Sequence, residues 1–178
     1  MANRPLTGIL LVGGASRRFG SPKALARIGD ETLAERAWRT LGETFDSRIA
    51  VGKAADGLDL PFPVLDDGTD VRAALAGIVA GARAAATDVI VVVPVDVPLV
   101  KGDSLRALAD ACADAAVTQT GPLPAAVRRS ALPELERRLA AGDYELRRAF
   151  TDLDTVTVRV DASELVNVNT PDDLRSIG

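Results

Sequence analysis

Short, wholly apolar stretches alternate along this chain with amphipathic ones. Thr7–Val12 (TGILLV) is an apolar run that stops at Gly13-Gly14, the pattern of a buried strand. A basic, glycine-bearing segment follows, GGASRRFGSPK. Thr32 is then placed as the N-cap of a helix over Leu33–Leu41, with Leu33, Ala37 and Leu41 at helical spacing. Arg48–Val51 and Phe62–Leu65 read as short strands, and alanine-rich Val71–Ala86 as a helix. Val89–Val93 (VIVVV) is continuous and β-branched, as expected of a strand buried on both faces at the centre of a parallel sheet. A helix over Ser104–Ala113 is opened by Gly102 or Asp103. Strands are expected at Ala115–Thr118 and Ala125–Arg128, and a helix from Ser130 to Leu139, stopped by Gly142. Thr155–Val160 alternates as a half-exposed strand. Thr170-Pro171-Asp172-Asp173 combines an N-cap, a proline at the first helical position and acids in the first turn. This alternation of strands and helices predicts an α/β three-layer sandwich with a mostly parallel sheet. With 178 residues and no repeat or linker, residues 1–178 are expected to form one domain.

Composition narrows the chemistry. The chain is 47% hydrophobic and 26% charged, which suits a packed core, but only 3% aromatic. Few rings are therefore present to stack single-stranded nucleic acid, and a net charge of −4 without a basic tail argues against nucleic-acid partners. There is no histidine, which removes histidine-based nucleophilic and general-base catalysis and most zinc sites. The single cysteine, Cys112, excludes an intramolecular disulfide framework; its helical face, shared with Leu105, Leu108 and Ala109, places it in the core. Trp38, on the first helix, is expected to pack. A metal here would be hard and oxygen-bound, like Mg²⁺. No apolar run is long enough to cross a membrane and the N-terminus carries no apolar signal core, so a cytoplasmic location is expected.

Four segments fall where ligands bind in open α/β sheets, beyond the carboxyl ends of the strands. Gly13-Gly14, with Arg17, Arg18 and Lys23, could cradle a triphosphate through backbone N–H groups and cations; a turn with solvated basic residues is the alternative. No GKS or GKT follows, and the G-x-G-x-x-G spacing is absent. Asp96 lies between Pro94 and Pro98 directly after VIVVV, a rigid carboxylate suited to Mg²⁺ or an ordinary proline turn. Asn167 and Asn169, one residue apart, point the same way on extended chain and could face a metal or substrate, or cap the next helix. Asp66-Asp67-Gly68 could accept hydrogen bonds from a base edge or ribose, or form a turn.

The motifs together resemble those of the molybdenum-cofactor nucleotidyltransferases. LLVGGASRRFGSPKAL is similar to their LAGG-x-x-RR-MG-x-x-K loop, VPVDVPLV to their central Asp motif, AALAGI to GPLAGI, and LVNVNTPDDL to their NVNTP-E/D-D-L ending. LPAAVRRSALPELERRLAAGDYELRRAF looks like their distal region, and the likeness runs in one order from about Thr7 to Leu174. The resemblance, strongest to the guanylyltransferase branch, implies a Rossmann-like nucleotidyltransferase fold. It implies transfer from GTP to a molybdopterin-type acceptor with Mg²⁺ and release of pyrophosphate. By position, Leu11, Val12, Gly13, Gly14, Lys23, Asp67 and Asp96 would bind the nucleotide. Arg17, Lys23 and Asp96 would be catalytic, Asp96 would hold the metal, and Asn167 and Asn169 would meet the acceptor. Transient contact with molybdenum-cofactor delivery proteins would follow. The chain departs from the pattern at Val12, at Pro22-Lys23, at Val51-Gly52-Lys53 and at Ala73-Ala74, all near base or acceptor recognition. Two other readings stand beside this one: the cytidylyltransferase branch or another NTP transferase, and a non-catalytic nucleotide-binding protein in cofactor delivery.

Overall fold

The computed structural model describes residues 4–13 and 22–177. Strand β1 (Leu6–Leu11) enters the molecule first, followed by a 3₁₀ turn at Lys23–Leu25. A small antiparallel hairpin pairs β2 (Arg27–Ile28) with β3 (Glu31–Thr32) and feeds helix α1 (Leu33–Thr44). Thr32 caps α1 as its position predicts: its Oγ1 accepts from Glu35 N–H, while the Glu35 carboxylate accepts from Thr32 N–H. Then come β4 (Ser47–Gly52), β5 (Val64–Asp66), α2 (Ala74–Ala84) and β6 (Val89–Pro94). The distal part adds α3 (Gly102–Ala111), β7 (Ala115–Thr118), β8 (Gly121–Arg128) and α4 (Leu132–Ala140). It closes with α5 (Leu146–Thr151), β9 (Thr155–Val158) and α6 (Pro171–Ile177).

Among the described residues the main sheet has the order β5-β4-β1-β6-β8-β7-β9, and β8 alone runs against its neighbours. The mostly parallel three-layer sandwich expected from the alternation is therefore observed. Side-chain alternation explains why β1 from Gly8 onward and β6 are apolar: Leu10, Val89, Val91 and Val93 enter the core under α1 and α3, whereas Ile9, Leu11, Ile90 and Val92 enter the core under α2, α4 and α5. Helix α2 lies close to β1 because two of its residues are glycines. A Cβ on Gly77 would come within 2.7 Å of Leu11 Cδ2, and one on Gly81 within 2.9 Å of Ile9 Cγ2. This contact brings the start of α2 over the carboxyl end of β1.

Several boundaries differ from the sequence reading, each for a local reason. The helix expected from Val71 begins at Ala74, because Ala73 is extended and the preceding residues turn on Asp67 and Thr69, which accept from Thr69 N–H and Val71 N–H. The third strand of the reading shifts to Val64–Asp66, since Pro61 and Pro63 leave Phe62 free to stack on Trp38, ring centroids 4.4 Å apart. The helix expected from Ser130 begins as a 3₁₀ turn and becomes α-helical at Leu132. β8 starts at Gly121, not Ala125, and α5 and the β2–β3 hairpin were not foreseen. Cys112 is buried, as its helical face suggests, and burial pushes its thiol up to about 11. No helix among the described residues is long and apolar enough to cross a membrane.

Candidate active site

Strand β1 lies between β4 and β6, and the chain leaves β1 for β4 on one side while β6 pairs with it on the other. A crevice is expected at such a point. A cavity of about 500 Å³ opens there, walled by residues from the ends of β1, β4 and β6, the start of α2 and the start of β8. Leu11, Val12, Gly13, Lys23, Asp67, Asp96 and Asn167 all line it. Gly14 and Arg17, and Arg18 beside them, lie outside the described residues.

At the β6 side, the Lys23 ammonium holds three segments together. Its Nζ donates to Asn169 Oδ1 at 3.1 Å and sits 3.6 Å from Asp96 Oδ2. Asp96 also accepts through its backbone carbonyl from Val168 N–H at 2.8 Å, which docks the C-terminal segment onto the β6 tip. Val168 is fully buried between Asn167 and Asn169, so the two asparagines stay on the outer side of the extended segment. Asn167 reaches the cavity wall; the Asn169 oxygen is taken by Lys23. Lys23, Asp96 and Asn169, three residues marked separately in the sequence, are thus brought together.

The segment is anchored from its far end by α6. Asp173 accepts from Asn169 N–H and Thr170 N–H, both at 2.8 Å, while Thr170 Oγ1 accepts from Asp173 N–H. These hydrogen bonds, that of Asn169 first, hold the Asp173 carboxyl below its usual range. A carboxylate depressed in the folded state stabilises it above the unfolded pKa of about 3.9, and that stabilisation is lost as pH falls through the folded value. Asp173→Asn should therefore show a shallower loss of stability below about pH 4 than the parent in urea unfolding across pH; equal slopes would contradict the anchor.

At the β4 side, Asp67 does not stand alone. Both its oxygens accept from Lys53 Nζ, at 2.7 and 2.8 Å, and Lys53 donates its third hydrogen bond to the Thr69 carbonyl. The side chains are only 10% and 6% exposed, so the pair is an internal wall of the cavity. Asp66 turns away and accepts from Ala54 N–H and Gly68 N–H, which makes it the turn residue of the Asp66-Asp67 pair. The sequence marks Lys53 as a departure but gives no sign of this partnership. Val12 packs tightly over Gly52: a Cβ there would lie 2.8 Å from Val12 Cγ2. Ala73 and Ala74 line the cavity at the start of α2, whose N-cap carries no side-chain hydrogen bond, so its first N–H groups add positive potential. Arg72 spans the rim to Asp56 at 2.7 Å.

Oxygen donors and cations thus converge on one crevice. Among the described residues no group of three or more acidic, histidine or cysteine side chains is placed to cage a metal. One aimed carboxylate does suit Mg²⁺, which is bound by one or two carboxylates together with substrate phosphates and water. Comparison with known proteins agrees with this geometry. The family model described as the MobA-like NTP transferase domain matches residues 8–156. The chain belongs to the MobA-like NTP transferase family. It is a nucleotidyltransferase by that membership. It is 34% identical to a Chloroflexus aggregans protein named probable molybdenum cofactor guanylyltransferase, over 97% of this chain and 93% of that one. It is 33% identical to the molybdenum cofactor guanylyltransferase of Burkholderia cenocepacia, over 97% and 95%. The solved structure of molybdopterin-guanine dinucleotide biosynthesis protein A from Archaeoglobus fulgidus superposes with a TM-score of 0.82 at 27% identity, covering 96% and 95% of the two chains. In this member of the family Gly13 and Lys23, which flank the first loop, meet the central Asp96 and Asn167 of the NVN segment at a single mouth. Arg72 and Arg147 also line it, and no motif in the sequence marks either.

Proposed function

We propose that this nucleotidyltransferase, folded as one domain, transfers GMP from GTP to the terminal phosphate of molybdenum-loaded molybdopterin, giving the guanine dinucleotide cofactor and pyrophosphate. The observation that carries the reading is the meeting of Lys23, Asp96 and Asn169 at the end of β6, beside a cavity large enough for a nucleotide. An acceptor phosphate oxygen attacks the α-phosphorus, the bond from that phosphorus to the bridging oxygen breaks, and pyrophosphate departs with the electron pair. Such transfers need positioning and charge neutralisation more than covalent chemistry, which a chain without histidine can supply. Leu11, Val12 and Gly13, with Gly14, would pass along the nucleotide; Arg17 and Lys23 would neutralise phosphate charge. Asp96 would hold Mg²⁺, which supplies electrophilic polarisation of the phosphates. Asn167 and Asn169 would face the acceptor. The relatives' names favour guanine as the base and molybdopterin as the acceptor. A cytoplasmic site of action and hand-over from molybdenum-cofactor delivery proteins fit that reading.

Asp67 would receive the guanosine, and Lys53 keeps that carboxylate oriented and electrically balanced so that a polyanion can enter. Breaking an internal ion pair by removing one partner leaves an uncompensated charge, so Lys53→Met should cost about 3 kcal/mol of stability. Adding Asp67→Asn should recover most of that stability in urea unfolding, but GTP affinity in titration calorimetry should stay about tenfold weakened. A double variant that binds GTP as tightly as the parent would remove Asp67 from the nucleotide site. The base is tested by offering GTP, CTP, ATP and UTP at equal concentration with Mg²⁺ and molybdopterin, and identifying the dinucleotide formed by mass. GTP product is expected; predominant CTP product would place the chain in the cytidylyltransferase branch.

A further inference from the structure

Lys23 and Asp96, which would meet phosphates and metal, stand at the β6 end of the cavity, so a base would lie toward β4 and α2. The wall there is made by Val51 and Gly52 of β4 and by Ala73, Ala74 and Gly77 around the start of α2. None of these carries a side-chain hydrogen-bond donor. Lys53 and Arg72, at the same end, do. Lys53 is spent: an ammonium has three protons, and they go to the two Asp67 oxygens and the Thr69 carbonyl. Arg72 is not. Its Nη2 donates to Asp56 Oδ1 at 2.7 Å, and among the described residues its remaining N–H donors have no partner. We propose that Arg72 reads the base: its guanidinium fork donates to O6 and N7 of guanine and thereby selects GTP. The inference rests on the reading of GTP as the nucleotide donor given above.

Three features make Arg72 suited to this. First, its backbone is held. The turn that delivers it is fixed to the wall residue Asp67, whose Oδ1 accepts from Thr69 N–H, while Thr69 Oγ1 accepts from Val71 N–H. Second, its side chain is aimed yet releasable. Asp56, in the 3₁₀ turn after β4, holds one corner of the guanidinium at the mouth; its other oxygen lies 3.9 Å from where a Cβ on Gly13 would stand. An ion pair on an exposed rim contributes little, so handing the fork to a ligand costs little. The hydrogen bond from Asp56 and, at longer range, the Asp67 charge hold the guanidinium above its usual pKa, so it stays a pure donor. Third, donors alone discriminate among bases. Guanine presents two adjacent acceptors, O6 and N7, which a planar fork meets together. Adenine sets an amino donor beside N7 and cytosine offers an amino donor, so each would oppose donor to donor. With Lys53 committed to Asp67, the choice of base at this wall falls to Arg72.

The test is equilibrium binding of GTP, 7-deaza-GTP, ATP and CTP, with Mg²⁺ and no acceptor, followed by titration calorimetry. 7-Deaza-GTP carries a C–H in place of N7 and so removes one acceptor from the edge in question. The parent should bind GTP about tenfold or more tightly than 7-deaza-GTP, ATP or CTP. Arg72→Met should weaken GTP about tenfold or more and bind GTP and 7-deaza-GTP within about twofold of each other. Arg72→Lys keeps the charge without the fork, so it should recover part of the affinity for every nucleotide and little of the preference for guanine. Thermal unfolding of both variants should match the parent's, since the side chain is exposed and its one ion pair lies at the rim. If the parent prefers GTP and Arg72→Met keeps the whole penalty for 7-deaza-GTP, Arg72 does not read the base, although guanylyl transfer stands. A parent that prefers GTP to ATP yet binds 7-deaza-GTP as tightly as GTP overturns the contact equally. If the parent binds GTP, ATP and CTP alike, the reading of guanine fails and this inference falls with it.

Discussion

Asp96→Ala is expected to lower turnover on the order of a thousandfold or more, while the folded protein survives. Asp96 sits at the tip of a strand whose preceding five residues are buried on both faces, so its Cα position is set by the core and not by its own side chain. The contact by which Asp96 docks the C-terminal segment is made by its backbone carbonyl, which alanine retains. What the substitution removes is a carboxylate that would hold Mg²⁺ against the nucleotide phosphates. It also leaves Lys23 without the charge 3.6 Å away. The loss should appear in kcat at saturating GTP, with thermal unfolding close to the parent's. Near-normal Mg²⁺-dependent turnover in this variant would take the metal away from Asp96.

Lys23→Met should reduce kcat/KM on the order of a hundredfold. Its side chain is half-buried and its ammonium stands between Asp96 and Asn169, so it is aimed before a ligand arrives. A preorganised cation of this kind stabilises charge that develops on phosphate oxygens during transfer, at no reorganisation cost. Methionine keeps the length of the chain and loses that charge. Lys23→Arg should recover little, because the broader guanidinium does not fit a position set for a compact point charge. The distinguishing readout is the split of the effect: a loss in kcat beyond any rise in KM for GTP shows action on the transition state. An unchanged kcat/KM would restrict Lys23 to tying Asn169 in place.

The parts of the molecule legible in the sequence are those whose signal is local. VIVVV announces a strand buried on both faces, and Thr32 with Glu35 announces a capped helix. Thr170 to Asp173 does the same for the last helix, and each is found where its residues place it. The residues of the site that follow strand ends, Gly13, Asp67 and Asp96, were legible for the same reason: in a parallel sheet every carboxyl end points to one side. What was not legible depends on pairing over distance. Lys53 and Asp67 are 14 positions apart and meet only because β4 and β5 lie side by side in register, Gly52 opposite Asp66. Lys23 and Asn169 are 146 positions apart. Arg147 was hidden because α5 has six residues, too few for a helical period to emerge.

The central claim, that this chain joins a nucleotide to a phosphorylated acceptor, is tested most directly by pyrophosphate release from GTP and Mg²⁺ with and without molybdopterin. Release that requires molybdopterin, in a one-to-one ratio with the dinucleotide formed, is the predicted result. A folded sample that binds GTP yet releases no pyrophosphate in the presence of molybdopterin would contradict it.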